Sequence, residues 1–115
     1  MRLLSWNVRG LGGMEKRREV RKLVGEKRSF ILCLQETKLP VCDVSLCKFL
    51  WGDSSQAFSY RPSVGASGGM LIIWDSVEME VWSTVSQDHM LLVLGRFIQT
   101  NEEFYVINIY SPCDG

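Results

Sequence analysis

The chain has 115 residues, a formal net charge of zero, 46% hydrophobic and 23% charged residues, and a single histidine. That length fits one small domain or part of a larger one, and the composition excludes a disordered chain. Balanced charge excludes polyanion binding by bulk attraction, so any nucleic-acid contact must come from local patches.

Residues 2–8 predict a buried strand, with Gly10 and Gly12-Gly13 as breakers behind it. A helix is expected over residues 15–27, where Val20, Leu23 and Val24 share one face and the rest is charged. Glu15 with Arg18 and Glu19 with Lys22 stand at i,i+3 spacing, which supports an exposed helix. Residues 30–34 form an apolar run of strand length that ends at Gln35-Glu36. Strand, helix and strand with short connections make a βαβ-like unit, without fixing the pairing as parallel. Asp43 is placed to cap a short helix over residues 44–50 that stops at Gly52. Five strands then follow, over residues 57–60, 70–74, 78–83, 90–97 and 104–110, with Gly68-Gly69, Asp75-Ser76 and Thr100-Asn101 as punctuation. Glu78 to Trp82 alternates polar and apolar, as a strand with one wet face does. No repeat or linker divides the chain, so residues 1–115 read as one α/β unit.

No apolar run approaches the ~20 residues of a membrane span. The N-terminus lacks the pattern of a secretory signal, since Leu3-Leu4 is followed at once by Ser5, Trp6, Asn7 and Arg9. An intracellular protein is expected, nuclear or cytoplasmic and not secreted, with Cys33, Cys42, Cys47 and Cys113 as free thiols. Cys42 and Cys47 have the look of half a zinc site, but no second Cys/His pair follows at suitable spacing.

Two positions stand out chemically. Glu36 is a carboxylate at the end of an apolar run, which is costly unless solvated, paired or bound to a cation. It reads either as a strand-end acid facing water or Lys38, or as one ligand of a magnesium ion, which takes one or two carboxylates with waters and phosphates. Asn7 reads either as a turn former or as an amide that holds a catalytic carboxylate or water. A third signal is the basic helix, where Arg17, Arg18 and Arg21 read as a solvated face or as contacts to phosphate.

In combination these motifs say more. Ser5-Trp6-Asn7-Val8-Arg9-Gly10-Leu11, a helix, then Leu34-Gln35-Glu36-Thr37-Lys38, with Ser67-Gly68-Gly69 before a strand and a final Asn108-x-Tyr110-x-Pro112, resemble the endonuclease/exonuclease/phosphatase superfamily. The form with Arg9 is most similar to the endonuclease domains of plant LINE-type (non-LTR) retrotransposons and more distantly to exonuclease III-like abasic-site enzymes. The resemblance covers the whole chain but only the N-terminal half of that domain.

It implies a two-sheet α/β sandwich, here expected as a partial domain, and metal-dependent phosphodiester hydrolysis of DNA. It further implies that Glu36 binds magnesium (or manganese), that Asn7 lies beside it, and that Tyr110 reaches the scissile phosphate. Arg9, where repair enzymes often have an acid, disfavours a second metal and is suited to a phosphate. The Gly-Asp-x-Asn motif that supplies the base, and the late Ser-Asp-His, do not occur in these residues. Gln87-Asp88-His89 mimics the latter but precedes Tyr110, so His89 is expected to be a structural turn residue.

From these gaps residues 1–115 are expected to have little nuclease activity alone and to ligate magnesium incompletely. The alternative is a non-catalytic remnant that binds nucleic acid, or an interaction module complemented by a separate C-terminal half. Trp6, Ile72, Trp74 and Leu92 are expected to face inward toward a missing partner, leaving a sheet face through which the chain self-associates.

Overall fold

The computed structural model describes residues 2–28 and 30–110. Ser111, Pro112 and Cys113 lie outside the described residues, and with them the end of the last motif and one expected thiol.

The elements run β1 (Leu3–Asn7), α1 (Met14–Lys27), β2 (Ile31–Gln35), α2 (Val44–Trp51), β3 (Gln56–Val64), β4 (Ser67–Asp75), β5 (Met79–Gln87), β6 (Met90–Phe97) and β7 (Glu103–Ile109). They form a four-stranded sheet ordered β1-β2-β4-β3 and a three-stranded sheet ordered β5-β6-β7. The β1-β2 pair is parallel, as a strand–helix–strand crossover requires, and the remaining pairs are antiparallel. Helices, first sheet and second sheet stack as three layers.

The local chemistry explains the elements. α2 starts where the Asp43 carboxylate accepts a hydrogen bond from Leu46 N at 2.8 Å, and it ends at Gly52 in the left-handed region. α1 turns Val20 and Val24 inward against the first sheet, while its ion pair is Lys16 with Glu19 at 3.5 Å rather than either expected pair.

Alternation along β2 and β4 sorts the core into two clusters. Leu32, Leu34, Leu71 and Ile73 meet Val20, Val24, Leu46 and Leu50 of the helices. Ile31, Cys33, Ile72 and Trp74 meet Met79, Leu91, Val93 and Val106 of the second sheet. β2 and β4 are therefore buried on both faces, which is why they read as unbroken apolar runs.

Three expectations fail. β1 is an edge strand with alternating exposed and half-buried residues rather than a buried one. β7 reaches over β2 through Asn108 and Gln35, while β1 lies at the edge of the first sheet. Gly68-Gly69 does not end a strand; both residues lie within β4. And Trp6, Ile72, Trp74 and Leu92 do not share a face. Trp6 packs toward the helices, Ile72 and Trp74 are covered by the second sheet, and Leu92 points to the opposite side of that sheet from its buried neighbours Leu91 and Val93. The partner layer for that face is present. The apolar surface left open is instead the outer side of the second sheet, where Trp82, Tyr105, Ile107 and Ile109 are all well exposed.

Candidate active site

The strand ends at one edge of the stacked sheets gather the polar residues. Past β2 the chain turns sharply, with Glu36 and Lys38 in the left-handed region at φ 54° and 57°. Such conformations cost non-glycine residues on the order of 1 kcal/mol or more and persist only where the surroundings impose them. Here both flanks do so. Gly10 N donates to Glu36 O and Leu11 N to Thr37 O, each at 2.8 Å, on the β1 side. Thr37 N donates to Gly69 O at 3.1 Å and Lys38 N to Gly68 O at 2.8 Å on the β4 side. Gly69 has φ 91°, and a Cβ there would overlap the Thr37 hydroxyl. Glycine is thus required by close approach to the Glu36 turn, not by a chain reversal.

Beneath the turn lies a buried amide pair. Gln35 Nε2 donates to Asn108 Oδ1 at 2.7 Å, and Asn108 Nδ2 donates to Leu34 O at 3.0 Å and Leu71 O at 3.3 Å. Asn108 is 1% exposed, so these bonds tie β7 to β2 and β4 in a dry setting where an unmade bond is costly. Two residues on, on the same side of β7, the Tyr110 hydroxyl donates to Glu36 Oε1 at 3.0 Å. The structure thus brings together Glu36 and Tyr110, residues 74 positions apart in sequence.

Asn7 pairs in register with Gln35, next to Glu36, and its Oδ1 accepts from Arg9 N at 3.2 Å. That is the turn-forming use of asparagine. The side chain is exposed, and Asn7 does not line the cleft that holds Glu36 and Tyr110.

That cleft has a volume of about 420 Å³, with Gly68 and Gly69 in its lining beside Glu36 and Tyr110. Its other polar residues are Arg61, Ser67, Asp88 and His89. Arg61 Nη1 donates to Ser86 Oγ at 2.8 Å, and Nη2 pairs with Asp88 Oδ1 at 2.7 Å. His89 sits in the β5-β6 turn at φ 62°, with its ring centroid 6.0 Å from that of Tyr110. The turn reading of His89 holds, yet the turn delivers it to the cleft. Chain order directed attention away from it. Arg61 carried no motif at all, and only the stacking of β3 under β5 reveals it.

The basic helix is largely engaged elsewhere. Arg17 Nε donates to Leu11 O at 2.7 Å, Arg21 lies 4.8 Å from the Phe49 ring centroid, and Arg18 is exposed. Arg17 and Arg21 thereby fasten α1 to its surroundings.

Glu36 fits a magnesium site in part. One phenol bond leaves a carboxylate with lone pairs for a further partner, and magnesium accepts a single carboxylate in a water-rich shell. Among the described residues no group of three or more His, Cys, Asp or Glu side chains gathers into a metal cluster. Cys42 and Cys47 lie in the core between helices and sheet, and burial pushes their thiols up to about 11 and about 12. No helix is long and apolar enough to cross a membrane, among the described residues.

No protein-family model matches the chain. It is 27% identical over 113 residues to an exodeoxyribonuclease of Bacillus subtilis, a match spanning 97% of this chain and 43% of that protein. An AP endonuclease from Leishmania major superposes with a TM-score of 0.70 at 19% identity, over 94% of this chain and 39% of that one. The catalytic domain of APE2 from Xenopus laevis gives 0.69 at 16% identity, over 100% and 46%. A 3′ phosphatase from Neisseria, bound to product DNA hairpin, gives 0.66 at 17% identity, over 94% and 40%. The chain has the fold of the endonuclease/exonuclease/phosphatase superfamily. It matches part of that two-sheet sandwich and spans less than half the length of these relatives.

Proposed function

We propose that this chain carries part of a metal-dependent phosphodiesterase site acting on DNA. The observation that carries the reading is the hydrogen bond from the Tyr110 hydroxyl to the Glu36 carboxylate, at the mouth of a cleft, with Glu36 held in a strained turn from both sides. A carboxylate so fixed is suited to bind magnesium or manganese, which would supply charge neutralisation at a phosphate oxygen. The chain's own contribution is to orient Glu36 and to place the Tyr110 hydroxyl next to the same spot. The DNA-bound Neisseria phosphatase supports nucleic acid as the substrate class. The Asn7-Val8-Arg9-Gly10-Leu11 form supports a retrotransposon-type endonuclease within it.

The described residues gather one cleft carboxylate, Glu36, whose partner is a neutral phenol, and a second, Asp88, that is neutralised by Arg61. Hydrolysis by residues 1–115 alone is therefore slow, because a catalytic set that acts as a unit loses orders of magnitude when incomplete. Metal binding is the sharper test. Manganese binding, followed by electron paramagnetic resonance, is expected to weaken at least tenfold in Glu36→Gln and far less in Asn7→Ala. Unchanged manganese affinity in Glu36→Gln overturns the reading. Nicking of supercoiled plasmid by the 115-residue chain at the rate of a full-length relative would overturn the expected low activity.

A further inference from the structure

The Arg61–Asp88 pair is oddly built for a structural ion pair. The arginine side chain is only 28% exposed, whereas the aspartate is 89% exposed. A pair with one partner so fully in water contributes little stability, so it does not account for an arginine turned into the cleft. Arg61 is held by two partners of different kinds. Ser86 Oγ, a neutral acceptor on β5, fixes Nη1, and the Asp88 carboxylate occupies Nη2. The serine belongs to a polar seam between β3 and β5 that includes a Ser59–Thr84 hydroxyl bond at 2.7 Å. That seam keeps the guanidinium extended toward the cleft whether or not Asp88 is engaged. His89 follows Asp88 directly, in the turn that sets its ring near Tyr110.

We propose that Arg61 is a phosphate-binding residue for a DNA strand entering the cleft, and that Asp88 occupies its guanidinium edge until a backbone phosphate displaces it. Phosphate oxygens accept from a guanidinium as a carboxylate does, and two of them accept at once from its planar fork. The displaced carboxylate swings into water it already largely occupies, so the exchange is cheap. Arg61 and Glu36 line the same cleft with separate partners, Asp88 and Tyr110, so the subsite forms without disturbing the Tyr110–Glu36 bond. Asp88 thereby disfavours weak anions without blocking a polyanion that brings several phosphates at once. This rests on the reading of the cleft as a DNA phosphodiester site.

The test is anisotropy of a fluorescein-labelled DNA duplex titrated with the 115-residue chain in EDTA, so that neither metal nor hydrolysis contributes. Arg61→Gln should weaken binding about tenfold, the typical effect of losing a hydrogen bond to a charged group, and reduce the salt slope by about one. Asp88→Asn should tighten binding several-fold. In an Arg61→Gln background the same Asp88→Asn change should alter affinity less than about twofold, since the coupling runs through the guanidinium. Equal tightening by Asp88→Asn in both backgrounds would reduce Asp88 to a diffuse negative charge and overturn the proposal. So would Arg61→Gln with unchanged affinity. Should Arg61→Gln fail to fold by circular dichroism, Arg61→Met, which keeps the aliphatic stem, takes its place in both backgrounds, and absence of tightening by Asp88→Asn in the parent chain overturns the idea. Loss of manganese binding in Glu36→Gln alongside an inert Arg61 leaves the site reading standing and removes only this inference. Manganese binding untouched by Glu36→Gln removes the site reading itself.

Discussion

The two sheets solve the same problem differently. In the first, β2 and β4 are covered by helices on one side and by the second sheet on the other, and every residue of β2 is buried. In the second, β6 and β7 hide only alternate residues: Leu91, Val93, Val106 and Asn108 face inward, while Tyr105, Ile107 and Ile109 face out. The outward residues are nevertheless apolar. Leu92 pairs with Ile107 and Leu94 with Tyr105 across that open face. Sheet interiors and sheet surfaces in this chain thus share a composition and differ in cover. An apolar run identifies a strand but not how many of its faces are dry.

Substitutions on the two sheets break or sharpen that contrast. Ile73→Ala, on the helix side of β4, should cost about 3–4 kcal/mol in urea unfolding, whereas Leu92→Ala should cost under about 1 kcal/mol. Equal costs would mean that the outer face is covered after all. Asn108→Ala should follow at about 2–3 kcal/mol, because it removes three hydrogen bonds in a dry layer, one from Gln35 and two to the carbonyls of Leu34 and Leu71. Asn108→Asp, which puts a charge there, should be no better.

Alkali gives the next effect. Burial pushes Cys33, between the sheets, up to about 12 and Cys42 and Cys47, under the helices, to about 11 and about 12, from an ordinary value of 9.0. The folded values are raised, so their contribution is complete below pH 9 and is lost as pH rises toward the folded values. Each thiol should cost up to about 1.4 kcal/mol per pH unit in that window. The urea midpoint should fall steeply above pH 9, and a midpoint flat to pH 11 would show that water reaches a face of the first sheet. The smallest change belongs to the open side: Ile109→Lys or Tyr105→Lys should shift stability by less than about 0.5 kcal/mol while reducing self-association in analytical ultracentrifugation.

The extent to which the chain was legible follows the same division. Local signals were readable: the Asp43 cap, the Gly52 stop and the βαβ order reappear, and the alternation expected over Glu78 to Trp82 holds from Met79 to Val81 and then breaks at a bulge that leaves Trp82 exposed. The β3 and β5 strands run longer than their apolar cores because polar residues such as Arg61 and Ser86 are paired between the sheets, a context that periodicity cannot register. At the site, Glu36 and Tyr110 were found through motif resemblance, and their contact required the stacked sheets. Asn108 appeared as a motif letter without its task, and Gly69 appeared as a turn when its task is room for Thr37. Each miss concerns a partner distant in the chain.

The Gln35–Asn108 amide pair has one more consequence. Glu36 is the next residue after one amide, and Tyr110 lies two residues beyond the other, so both side chains are measured from a single pin through the two sheets. The site is then less a product of its loops than a reading of interlayer shear. A slip of β7 across β2 by one pleat would unseat the pin and draw the phenol away from the carboxylate together. A chain whose sheets have not locked in register therefore lacks the Tyr110–Glu36 contact.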